Sequence, residues 1–137
     1  MIIIDTNVFS ELMRPAPDAA VAAWVEEFGR DLFLTAVSVA ELRHGILRMS
    51  GGRRRSDLMT DTDALLAEFD QRVLPFDVAA AEYYAMVVAS RFAGGRPISF
   101  PDAQIAAICQ AHGALLATRN VKDFEYLGLT VIDPWTR

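Results

Sequence analysis

Lysine is almost missing from this chain of 137 residues. Lys122 stands alone, and arginine supplies the other side-chain cations. With Lys+Arg at 13 and Asp+Glu at 18, the formal net charge is −5. Indiscriminate binding to nucleic-acid backbones needs many cations to displace counterions, so any nucleic-acid partner has to be gripped locally. Cysteine is as scarce. The single Cys109 excludes an internal disulfide and a cysteine-rich zinc site, and its setting, Ile105-Ala-Ala-Ile-Cys109, predicts a small buried hydrophobe and not a nucleophile. A histidine-driven nuclease would need two convergent imidazoles, and nothing in the sequence places His44 beside His112. Glu41-x-x-His44 has the spacing used in di-iron bundles but lacks the second such pair those sites require, so His44 is expected on a helix surface or groove. Apolar runs such as Leu32–Val37 and Ile105–Cys109 fall far short of the ~18 residues of a membrane span. Met1 leads into a strand-like run instead of a basic signal sequence. The expectation is a cytoplasmic chain without membrane contact.

What remains is a packed globule. Its hydrophobic fraction of 53% and its length predict a single domain over residues 1–137. Met1-Ile-Ile-Ile4 reads as a strand buried on both faces, ended by the helix-start residues Asp5-Thr6-Asn7, with a helix running to about Arg14. Pro15 and Pro17 break that helix, and Asp18 can cap the next, where Val21, Trp24, Val25 and Phe28 recur at helical spacing before Gly29. Further strands are predicted at 32–35, 73–76, 114–118 and 129–132, the one with Pro75 at an edge. Helices are predicted from Ser38 to Met49, over 57–68, over 78–92 and from Pro101 to Gly113, with a short helix or turn over 121–126. Strands alternating with helices imply a doubly wound parallel α/β sheet covered on both faces. The Arg53-Arg54-Arg55 triplet beside Gly51-Gly52 reads as a solvated loop, and secondarily as a loop that grips phosphate. The stripes Trp24/Val25/Phe28 and Tyr83/Tyr84/Met86/Val87 read as core, and secondarily as a dimer or partner groove.

Four acids fall at equivalent topological places: Asp5 after the first strand, Glu41 after the second, Asp102 early in a helix, and Asp123 after the fourth strand. In parallel sheets such positions share one edge, where ligands bind. Each acid also has a local explanation. Ser38-x-x-Glu41 matches a capping box, Ser99-x-x-Asp102 and Asn120-x-x-Asp123 are capping-like, and Asp5 can cap the first helix. Together they pose a charge problem, since two carboxylates ~4 Å apart repel by ~4 kcal/mol at an effective dielectric near 20. Protons or a cation must offset it. All-oxygen donors without histidine or thiolate favour Mg²⁺ or Mn²⁺ over Zn²⁺.

The segments Met1-Ile-Ile-Ile-Asp-Thr-Asn-Val-Phe-Ser10, Val39-Ala-Glu-Leu-Arg-His-Gly45, Asp102-Ala-Gln-Ile-Ala-Ala107 and Ala117-Thr-Arg-Asn-Val-Lys-Asp-Phe124 resemble the PIN-domain family. Within it the chain is similar to VapC-type toxins of type II toxin–antitoxin pairs, in the FitB-like branch, whose members also end in a pair such as Pro134-Trp135. The resemblance covers the whole chain in order. It implies a three-layer sandwich with a central parallel five-stranded sheet. Asp5, Glu41 and Asp102 would be the metal-binding carboxylates, with Thr6 and Asn7 shaping the first turn and Thr118 able to bond a water or ligand. At the fourth place, where many relatives carry an acid after Thr-Arg, this chain has Asn120, and the nearest acid is Asp123. Asn120 is expected to complete the site as a neutral ligand or water-orienting group, with Asp123 as the auxiliary alternative.

The activity implied is that of an Mg²⁺-dependent endoribonuclease, with Mn²⁺ as substitute, in which metal-activated water attacks phosphorus in line; a second ion would stabilise the leaving oxygen. The implied partners are a VapB-type antitoxin, an RNA substrate and a second copy in a homodimer, with DNA reached only through the antitoxin. A phosphotransferase of the haloacid-dehalogenase type wants a second aspartate two residues after Asp5, where this chain has Asn7. The alternative from another class is a catalytically weak or inactive module that holds a DNA-binding antitoxin in a repressor complex. Asn120 is its main support.

Overall fold

The computed structural model describes residues 1–137. Five strands, β1 (Ile2–Ile4), β2 (Leu32–Thr35), β3 (Val73–Leu74), β4 (Leu115–Ala117) and β5 (Val131–Ile132), alternate with six helices, α1 (Thr6–Leu12), α2 (Ala19–Phe28), α3 (Ala36–Leu47), α4 (Arg53–Phe69), α5 (Val78–Ala93) and α6 (Phe100–His112). Every pairing is parallel, in the order β3-β2-β1-β4-β5. The chain builds outward from β1 to one side through β2 and β3, then returns and builds to the other through β4 and β5. β1 therefore lies where the winding reverses, the place at which open parallel sheets form ligand crevices beyond their carboxyl ends.

Alternation along β1 sorts its side chains to opposite faces. Ile3 joins Leu116, Val87 and the small residues Ala103 and Ala106 in a core between the sheet and helices α5 and α6. Ile2 and Ile4 join Leu32, Leu34, Phe9, Val21, Trp24 and Phe69 in the core on the other face. Three layers result, matching the sandwich that the family resemblance implies. Phe9 is fully buried against Phe69, with ring centroids 5.9 Å apart. Truncating such a ring to alanine costs ~3–5 kcal/mol.

Several boundaries and surfaces differ from the sequence reading. β3 ends at Leu74, because Pro75 has no N–H to continue the ladder, and β5 is only Val131–Ile132. α4 starts at Arg53, so the arginine triplet forms the first turn of a helix and is not a loop. Tyr83 and Met86 are exposed, while Val87 is buried, so only part of the α5 stripe belongs to the core. A 16-residue helix has an outward face whatever its composition, and here that face takes apolar residues. His44 and His112 are both exposed. Cys109 is buried, and desolvation pushes its thiol up to about 12, which makes it inert.

Candidate active site

The β1–β4 register aligns Ile4 with Ala117, and the ladder continues from the Asp5 N–H to the Ala117 carbonyl at 2.9 Å. One step beyond, Asp5 and Thr118 are neighbours at the carboxyl ends of two adjacent strands. The Thr118 hydroxyl donates to Asp5 Oδ2 at 2.8 Å, and Asn7 Nδ2 reaches Thr118 Oγ1 at 3.2 Å and Asp5 Oδ2 at 3.4 Å. The Thr6 backbone N–H donates to Asp5 Oδ1 at 2.7 Å, so Asp5 does cap α1 while its carboxylate faces the pocket. Capping and site placement coincide in this residue.

Glu41 behaves differently. The cap of α3 is Thr35, whose hydroxyl accepts the Ser38 N–H at 3.1 Å, so the Ser38-x-x-Glu41 pattern is no capping box. α3 begins at Ala36, two residues before the sequence suggested, and Glu41 falls in its second turn, facing α1. The Thr6 hydroxyl donates to Glu41 Oε1 at 2.9 Å and contacts Ser38 Oγ at 3.1 Å. Asp102 lies in the first turn of α6, where Ser99 is the cap and its hydroxyl accepts the Asp102 N–H at 3.3 Å. Gly113 ends the same helix in the left-handed conformation, with φ of 60°.

These elements bring Asp5, Glu41, Asp102 and Asn120 to the lining of one open pocket of about 520 Å³, together with Thr6 and Asn7. Thr118 sits directly beneath, fully buried. Asn120 is exposed on the rim, held through its own N–H, which donates to Thr118 Oγ1 at 3.0 Å. It makes no side-chain cap of the 3-10 turn over Val121–Phe124. Asp123 lies on that turn, exposed and outside the lining, but its charge still reaches Asp5 and Asp102. The pocket also contains residues that sequence reasoning missed: Ser10, Glu11, Arg14, Arg119 and Trp135. The first three follow Asn7 at the i+3, i+4 and i+7 positions of one helical face, a spacing that was available in the sequence. Trp135 reaches the pocket only through the tertiary fold.

The electrostatics carry the signature of crowded acids. Burial pushes the Asp5 carboxyl above its ordinary value of 3.8; bonds from Thr118 and Thr6 pull it partly back, and the charges of Glu41 and Asp123 add to the rise. Burial likewise raises Asp102. Hydrogen bonding with Ser99 opposes this, the charges of Asp5 and Asp123 reinforce it, and Arg91 opposes it. Glu11 is lowered, chiefly because its carboxylate accepts the Asp18 N–H and secondarily through Arg14. No three His, Cys, Asp or Glu side chains close around a single point. Mg²⁺ does not need such a cage, since it keeps several waters and takes one or two carboxylates directly. A roomy pocket with hard oxygen donors and anionic repulsion still to be neutralised fits a hydrated divalent cation.

Residues 2–128 match the PIN domain family model. The chain is 42% identical over 137 residues to VapC ribonuclease Y4jK of Sinorhizobium fredii, covering 98% of each chain. It is 36% identical to Toxin FitB of Neisseria gonorrhoeae, over 98% of this chain and 99% of that one. Among solved structures, FitAcB from Neisseria gonorrhoeae superposes with a TM-score of 0.92 at 35% identity, over 100% of both chains. FitAB bound to an IR36 DNA fragment superposes with a TM-score of 0.89 at 35% identity, over 98% of this chain and 96% of that one. A reversal-point pocket lined by Asp5, Glu41 and Asp102, and likeness to these proteins along nearly the whole chain, lead to one assignment: the chain belongs to the PIN-domain family, in the branch of the VapC and FitB toxins.

Proposed function

We propose that this chain is the toxin of a type II toxin–antitoxin pair, an endoribonuclease that cuts RNA phosphodiester bonds with Mg²⁺, or Mn²⁺ in its place, held by Asp5, Glu41 and Asp102. The observation that carries the reading is the placement of these three acids, from three separate elements, around one pocket in which burial and mutual repulsion raise Asp5 and Asp102. When bound, the cation would lower the pKa of a water and neutralise charge on the phosphoryl oxygens. The chain supplies the rest. Thr6 and Thr118 fix the two oxygens of Asp5, and the Thr6 hydroxyl fixes Oε1 of Glu41, which keeps Oε2 for a water or an ion. Asn7 locks Thr118 and, through Oδ1, the backbone N–H of Arg119 at 3.3 Å. Asn120 offers a neutral amide at the rim to orient a water or a phosphate, and Asp123 contributes only its field.

The same reading covers the partners. Relatives are named as ribonucleases and as a toxin, and one solved relative is a FitAB complex on DNA. We therefore assign this chain a cognate VapB-type antitoxin, DNA contact only through that antitoxin, and a cytoplasmic homodimer whose whole sequence, 1–137, acts as one domain. No helix is long and apolar enough to cross a membrane. The test is cleavage of end-labelled RNA by the purified chain with Mg²⁺, with excess chelator, and with Asp5→Asn and Asp102→Asn. Cleavage that requires metal and both acids is the expected result. Binding of antitoxin without any RNA turnover under these conditions would instead favour the inactive docking module.

A further inference from the structure

The acidic pocket repels the phosphates it would have to admit, so its rim must supply attraction of another kind. Trp135 is the one hydrophobic residue in the lining, and the guanidinium carbon of Arg119 lies over its ring, 5.1 Å from the centroid. Arg119 is exposed, and none of the four ion pairs of the protein involves it. Both members are held from below. Trp135 packs on the core beneath β1 and its backbone N–H donates to Asp133 Oδ1 at 2.9 Å, while the backbone N–H of Arg119 donates to Asn7 Oδ1 at 3.3 Å. A rigid indole carrying an unpaired planar cation is a stacking platform. Unpaired bases stack on aromatic rings and on arginine planes alike, and the cation attracts the phosphates on either side.

We propose that the Arg119–Trp135 stack is the subsite that receives one nucleobase of single-stranded RNA next to the bond being cut. This rests on the ribonuclease reading and deepens it at one position: the platform takes an unstacked base, which a duplex does not offer. Stacking against a π-face discriminates weakly among bases, so the subsite selects strand form and position more than base identity. The pocket and the platform share one opening, which places the stacked base within a nucleotide or two of the acids.

The test uses the full chain, in chelator, with a short single-stranded RNA, so that binding is read without turnover. RNA should quench the emission of Trp135, leave that of the buried Trp24 unchanged, and give no quench in Trp135→Phe. Trp135→Ala should weaken RNA binding about fivefold to hundredfold, the range typical for loss of one stacked base. An abasic residue at one position of the RNA should cost the wild type a similar factor and cost Trp135→Ala nothing further. Because Trp135 also packs on the core, Arg119→Ala and Arg119→Lys serve as variants that leave that packing intact. Arg119→Ala should weaken binding, and Arg119→Lys, which keeps the charge and loses the plane, should recover only part of it. Full recovery by lysine, absence of quenching, or equal binding of duplex RNA would overturn the subsite. So would an effect of Trp135→Ala confined to antitoxin binding. If RNA binds as described but is never cut in Mg²⁺, the ribonuclease reading fails while the subsite stands.

Discussion

Arg91, near the end of α5, is only 8% exposed, and every hydrogen bond its guanidinium makes goes to a backbone carbonyl. Nε donates to Arg96 O at 2.7 Å, and one terminal nitrogen donates to Asp123 O at 2.8 Å and Glu125 O at 3.3 Å. It thus ties the turn before Ser99 and Asp102 to the turn after Asn120. A surface clasp joins the same two turns, with Arg96 3.9 Å from Glu125 and 4.1 Å above the Tyr126 ring. Replacing Arg91 by methionine keeps the stem and removes the donors. Bonds from a charged donor contribute about 1.5–3 kcal/mol each, so the two short ones sum to about 3–6 kcal/mol. Methionine offsets part of this by burying apolar surface without a charge to desolvate, leaving a net loss of about 2–4 kcal/mol. For a domain of this size that lowers Tm by roughly 10 °C, and the protein stays folded, since small domains carry about 5–15 kcal/mol. Urea unfolding gives the free energy, and hydrogen exchange locates the loss. Amides over 121–126 should exchange faster while those of β1 and β4 hold. A loss below about 1 kcal/mol, or exchange that rises evenly across the sheet, would refute the clamp.

Asp5→Asn should fold and melt no lower than the wild type near neutral pH without metal, because it removes a buried charge repelled by Glu41 and Asp123, yet RNA cleavage should be abolished; a melt several degrees lower would point to a purely structural aspartate. The pH dependence follows from the raised Asp5 and Asp102. Each binds more protons folded than unfolded between 3.8 and its raised value, so the metal-free protein loses stability as pH rises through that window. Glu11, lowered from 4.5, works in the opposite sense: its contribution is complete above 4.5 and fades as pH falls through the lowered value. Metal binds the deprotonated acids, so added Mn²⁺ should raise Tm more at pH 8 than at pH 5, as calorimetry would show. Asn120→Ala should slow turnover about tenfold, the low end for loss of a supporting polar group at a metal site, with Asp123→Ala nearly silent; the reverse order in single-turnover cleavage would move the fourth position to Asp123.

How much of this was legible depended on whether a signal was local. The isoleucine run of β1 and the breakers on either side of α2 mark those elements directly, and the placement of Asp5 after a buried strand follows from that run alone. Ser38-x-x-Glu41 misled because a capping box is defined by spacing, and Thr35, with its own hydroxyl, took the cap three residues earlier. Gly51-Gly52 suggested a loop long enough to hold the arginine triplet, but arginine is a good helix former and α4 starts on it. Arg91 carried no local signal, and the Pro134-Trp135 pair marked a resemblance without placing the indole at the pocket. Trp135 reaches the pocket from beyond β5, and Arg91 acts on carbonyls 32 and 34 positions away. Alternation along a strand or turn chemistry cannot encode such contacts.

The strand order has a consequence for synthesis. The central strand precedes the other four in sequence, and it cannot acquire its neighbour β4 until residues near 117 have been translated. Asp5 therefore waits for Thr118 to orient its carboxylate, and a ribosome-bound chain that has emerged only through α5 holds neither Asp102 nor the rim. Contacts that span nearly the whole sequence also fold late. The pocket therefore assembles late: the carboxylates of Asp5 and Glu41 are made early but share a lining with Asp102 and Asn120 only after α6 and β4 have emerged and paired.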